Sequence, residues 1–120
     1  MKKYFEFVHN DLSEEELLEM ANVTDDSTGI DDVVLWIGPN PSSHGKRIKV
    51  SNFPKKISSS DLFTITIPDM NIVGEVNSKF ITKSKLDDIK KFITINLTLI
   101  EDYSDYKIST KMFLDSIKPI

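Results

Sequence analysis

Apolar positions along this chain recur with period two in some stretches and period three to four in others, and the switches between them mark the elements. Residues 3–9 alternate, with Tyr4, Glu6 and Val8 against Phe5, Phe7 and His9, which predicts a short strand. Ser13, Glu14, Glu15 and Glu16 then spell a capping box, in which a serine hydroxyl and a glutamate three residues on satisfy each other's backbone N–H groups. With Leu17, Leu18, Met20 and Ala21 as its apolar side, a helix is expected over about 14–22, ended by the polar run Asp25, Asp26, Ser27, Thr28 and Gly29. Val33, Val34, Leu35, Trp36 and Ile37 form a continuous β-rich run, the best candidate for a central strand with a buried tryptophan. After a break over 38–45, residues 46–50 alternate as a returning strand, with Ile48 and Val50 toward the core and Arg47 and Lys49 toward solvent. Residues 52–60 are expected to loop. Leu62 to Ile67 alternates again, Pro68 and Asp69 turn, and 72–76 predicts a weaker strand.

Residues 84–101 satisfy two periods at once. Leu86, Ile89, Ile93, Leu97 and Ile100 make a helical stripe, whereas Phe92 to Leu99 also alternates at period two. Length, a cap at Ser84 and the charged opening 85–88 favour a helix, with Asp87 and Asp88 pairing Lys90 and Lys91 on its exposed face. A break over 103–108 precedes a last short helix with Thr110, Phe113 and Ile117 on one side, closed by Pro119. No repeat or linker divides the 120 residues, so one α+β domain over 1–120 is expected: an acidic front, 1–30, and a body, 31–120. The body should be an antiparallel sheet of three to five strands with helices packed on one face.

Composition narrows the chemistry. The chain has no cysteine, which removes disulfides, thiolate nucleophiles and cysteine-ligated zinc. No apolar run approaches the ~18 residues of a membrane span, and acids interrupt any signal-like start, so a soluble, cytoplasmic protein is expected. The net charge of −4 conceals a division. Residues 1–32 hold ten acids against Lys2 and Lys3, a balance of −8, and the remainder is +4. Two faces that solvate differently would explain this; so would an acidic arm that meets a basic partner, or covers the basic face until one arrives.

Leu86 to Ile89 through Asn96, Leu99, Ile100, Tyr103, Ile108 to Thr110, Phe113, Leu114 and Ile117 to Ile120 are similar to the tail of a family of short, uncharacterised bacterial proteins. In that family a helix with a central Asn leads to a Tyr or Trp, an Ile-Asp/Ser-Thr turn and a last helix ending in Leu/Ile-Lys/Arg-Pro. Ser43 to Val50 resembles a family strand with a basic start. The resemblance spans about 31–120, implies a β-rich body followed by paired helices, and transfers no catalytic residue.

The densest polar chemistry lies in the loop and strand start 39–49. Ser42, Ser43, His44, Lys46, Arg47 and Lys49, with Gly45 among them, are the candidate anion- or nucleic-acid-binding residues. Hydroxyls and N–H groups beside a glycine can cradle an anion that the cations neutralise. The spacing is not that of a P-loop, and a solvated hairpin loop needs the same residue types. His9 and His44 would supply acid and base for metal-free RNA cleavage if the fold joined them. Asp25, Asp26, Asp31 and Asp32 lack the alternation and closing Glu of a calcium loop. Tyr4, Phe5 and Phe7 could stack bases, but their surroundings are acidic.

No metal or cofactor is called for, and no catalytic constellation stands out. The leading expectation is a small non-enzymatic binding or accessory protein acting through protein–protein contacts, of mobile-element or toxin–antitoxin-like type. The alternative is a nucleic-acid binder using the 42–49 segment with Lys55 and Lys56. A small metal-free nuclease using His44 comes third. A protein partner is expected, nucleic acid is the second candidate, and no membrane is involved.

Overall fold

Pairing along the period-two stretches produces a meander in which each strand lies beside the next. The structure, a computed structural model, describes residues 20–38, 46–54 and 61–120. The strands are β1 (Ala21–Val23), β2 (Leu35–Ile37), β3 (Arg47–Ser51), β4 (Leu62–Thr66) and β5 (Ile72–Val73), all antiparallel in the spatial order β1-β2-β3-β4-β5. A single helical turn, α1 (Asp25–Thr28), follows β1, and α2 (Lys83–Ile95), α3 (Leu97–Ser104) and α4 (Thr110–Ser116) follow the sheet. The protein is therefore α+β, with five strands and four helices among the described residues.

Alternation decides what each face carries. Leu35, Ile37, Ile48, Val50, Phe63 and Ile65 point to one side and are fully buried there with Ile89, Phe92, Ile93, Ile100, Tyr103 and Phe113 of the helices. Each such side chain contributes ~1.5–3 kcal/mol relative to full exposure. Tyr103 and Phe113 stack with centroids 4.4 Å apart, joining α3 to α4. The Tyr103 hydroxyl lies 2.9 Å from the Thr110 hydroxyl, so the polar tip of the ring is also satisfied.

The helical stripe over 86–100 outweighs the alternation within it. Ile89, Ile93 and Ile100 are buried, and Leu86 and Leu97 pack against the same cluster. The cap is Thr82, whose hydroxyl accepts from the Lys85 N–H at 3.2 Å, two residues before the expected Ser84. Asp87 pairs backward with Lys83 at 3.3 Å, on the same exposed face expected for pairing with Lys90 and Lys91. At Asn96 the helix divides into α2 and α3. The Asn96 amide donates to Phe92 O at 3.0 Å and to Lys118 O at 2.9 Å, and accepts from the Lys118 N–H at 2.9 Å. One side chain thus closes the end of α2 and pins the segment after α4.

Three expectations change near the sheet edges. Ala21 and Asn22, expected to end a helix over 14–22, belong to β1, because pairing with Trp36 and Ile37 satisfies their backbone and buries Ala21 and Val23. The rest of that helix and the strand over 3–9 lie outside the described residues. The polar run 25–29 winds into α1, whose first-turn acids suit the helix dipole and whose C-cap Gly29 takes φ 79°. The backbone of Ile120 bonds to Thr28 O at 2.9 Å, and a Cβ on Gly29 would stand 2.7 Å from Ile120 O. The strand expected over 72–76 pairs only at Ile72 and Val73, beyond the turn that contains the cis Ile67–Pro68 bond.

Asn96→Ala strips Lys118 of both amide partners and should destabilise by about 2 kcal/mol. Chemical denaturation should show the loss, and amide exchange at Lys118 should quicken more than exchange in the sheet.

Candidate functional site

The expected anion-binding segment begins where the sheet meets the helices. Gly38 follows β2 and Lys46 precedes β3, so both ends of the intervening segment sit at one edge of the strands. Both ends are tied to the end of α3. The Ser104 hydroxyl donates to Gly38 O at 3.1 Å, and the Lys46 ammonium meets Asp105 at 3.0 Å. A cation beside the carbonyl end of a helix is also favoured by the helix dipole. With side chains 24% and 35% exposed, the Lys46–Asp105 pair contributes ~0.2–1 kcal/mol.

Ser42, Ser43 and His44 lie outside the described residues, as do His9, Lys55, Lys56 and the aromatics Tyr4, Phe5 and Phe7. Arg47 is half-buried at the start of β3, opposite Thr66. Lys49 departs from expectation. It does share a face with Arg47, but it is only 3% exposed, and its ammonium donates to the Thr64 hydroxyl at 2.7 Å. Strand phase set its side correctly; what it could not reveal is that this side, too, is closed to solvent.

Register aligns Asn22, Trp36, Lys49, Thr64 and Val73 in one row across all five strands. A parallel row on the same face holds Ser51 and Leu62, and Val34 joins them through its carbonyl bond to Ser51 N at 3.1 Å. Trp36 is fully buried as expected, yet in a second cluster with Val34 and Leu62 on the face away from the helices. Its indole N–H has no acceptor among the described residues. The face is therefore mixed: an apolar patch beside a buried ammonium, two hydroxyls and an indole donor.

A second polar cluster escaped the sequence reading. Asn52, 2% exposed, donates to Asp61 Oδ1 at 3.2 Å and Glu75 O at 2.9 Å, and accepts from the Asn77 N–H at 2.9 Å. Asn77 returns a bond to Asn52 O at 3.0 Å. These bonds tie the exit of β3 to the entrance of β4 and the segment after β5. The arrangement is a loop clamp that leaves the Asn52 amide saturated by the chain itself. Asn52 followed by two loop residues was the available signal, but asparagine is as common in open turns as in buried clamps.

Asp25, Asp26, Asp31 and Asp32 do not gather a cation site. Asp25 Oδ2 instead accepts from the Asp32 N–H at 3.3 Å, and no group of metal-ligating side chains occurs among the described residues. No described helix is long and apolar enough to cross a membrane. No protein-family model, curated protein or solved structure matches the chain.

Lys49→Glu should cost ~3 kcal/mol or more, because it buries a carboxylate in place of a bonded ammonium. Arg47→Glu, at the half-exposed end of the same strand, should cost about 1 kcal/mol or less. Trp36→Ala should cost ~3–5 kcal/mol. Urea unfolding of the three variants checks the order.

Proposed function

We propose that this protein is a non-enzymatic binding or accessory protein acting through protein–protein contacts. The observation that carries the reading is the apolar surface of its C-terminal helices. Tyr106, in the turn between α3 and α4, is 66% exposed, and Met112, on α4, is 54% exposed. Leu114 and Ile95 add further exposed apolar surface on the same helical arm. Tyr106 holds φ at 64°, a conformation unfavourable for a residue with a β-carbon. The Tyr103–Phe113 stack joins the helices that carry these side chains.

The nucleic-acid alternative draws less support. Of its three described cations, Lys46 is paired with Asp105 and Lys49 is buried against Thr64. Arg47 alone is a weak counter-charge for a polyanion approaching a protein of net charge −4.

The test is recovery of partners from native lysate on immobilised wild-type protein and on Tyr106→Ser/Met112→Ser, with proteins and nucleic acids identified. The reading expects a protein retained by the wild type and lost by the variant at unchanged thermal stability, with little dependence on salt. Nucleic acid retained equally by both, released steeply by salt and lost in Arg47→Glu, would replace it with the alternative.

A further inference from the structure

The residues of α4 are arranged about their own midpoint. Phe113, at the centre, is fully buried and stacked on Tyr103, so the opposite side of the helix turns outward. At about 100° per residue, Lys111 and Asp115 fall together on that outward side, with Met112 on one flank and Leu114 on the other. The side chains of Lys111 and Asp115 are 87% and 63% exposed, and Met112 and Leu114 are exposed as well. The helix thus presents two opposite charges framed by two apolar side chains.

Those charges stand the wrong way round for their own helix. A helix dipole favours acids at the N-terminus and bases at the C-terminus. α4 has no acid in its first turn and no base in its last; Lys111 lies in the first and Asp115 in the last. Their ion pair, at 2.7 Å, has the less favourable order of base before acid. A helix laid antiparallel on this face reverses the mismatch, since its C-terminal end meets Lys111 and its N-terminal end meets Asp115. We propose that this antiparallel helix is the α4 of a second copy of the chain. The proposal rests on the reading that the exposed apolar side chains around α4 bind protein, and it names the partner.

Two-fold symmetry requires a surface that complements itself, and this one does. An axis at the level of Phe113 sets Lys111 opposite the Asp115 of the second copy, and Asp115 opposite its Lys111, in a ring of alternating charge. The same axis lays Met112 beside Met112 on one flank and Leu114 beside Leu114 on the other. α2 also carries base before acid at Lys83 and Asp87, but there the flanking residues are Ser84 and Leu86, and Leu86 packs inward. A helix of this length extends only about 10 Å, so the contact is small and the dimer is weak and reversible. A seam so short leaves its charges at the rim in contact with water, which keeps their desolvation cost low.

Sedimentation equilibrium of the intact chain from about 10 μM to about 1 mM should show a monomer–dimer equilibrium. Lys111→Glu and Asp115→Lys each set like charges face to face, and each should weaken the dimer about tenfold. An equimolar mixture of the two single variants should recover association, because the all-acidic face of one meets the all-basic face of the other. The double variant Lys111→Glu/Asp115→Lys should recover it within one chain. A merely structural role for the ion pair predicts neither rescue. A wild type that stays monomeric throughout, single variants that dimerise as tightly as the wild type, or a mixture no tighter than its components overturns the proposal. A monomeric wild type that still retains another protein from lysate overturns this proposal alone and leaves the protein-binding reading standing.

Discussion

A sheet whose three inner strands are buried on both faces constrains everything else in this protein. β3 runs through its middle, with Ile48 and Val50 on one side and Lys49 on the other, all buried. Such a strand cannot slip by one residue, since that would drive Lys49 among Phe63, Ile65 and Phe92 and expel two branched aliphatics. The Thr64 hydroxyl, its direct cross-strand neighbour, accepts from the ammonium at 2.7 Å. A charge that must stay bonded to stay buried fixes register more sharply than an apolar residue of the same size would.

From that fixed sheet the helices are positioned by a few long-range polar bonds. Asn96 holds the backbone of Lys118, Ser104 holds Gly38, and Lys46 meets Asp105, so the helical arm is tied back at several separate points. Asn52 does the same for the loops at the other end of β3. The polar side chains that matter most here are saturated within the chain. This gives them a structural purpose, whereas Tyr106, Met112 and Leu114, around α4, leave apolar side chains exposed.

Asn96 suits the join between α2 and the segment after α4 for a chemical reason. An amide offers a donor and an acceptor on one planar group, which is what gripping both the N–H and the C=O of Lys118 requires. Aspartate lacks the donor and leucine lacks both. Such a residue joins two segments that lie twenty-two positions apart.

Local patterning along the chain encodes the α+β class, the alternating faces of residues 47–50 and 62–66, the burial of Trp36, and helix over the stretch whose stripe runs from Leu86 to Ile100. These follow from local periodicity, and periodicity survives folding because backbone geometry imposes it. Tertiary structure decided what depends on neighbours distant in sequence. Ala21 became strand because Ile37 offered it a paired backbone, against the helical pattern of the residues before it. The helix broke at Asn96 because Lys118 lay within reach. Lys49, placed on the correct side by its phase, proved buried because exposure belongs to the layer above a strand and not to the strand. Lys46 meets Asp105, fifty-nine residues away. No local pattern encodes such a distance.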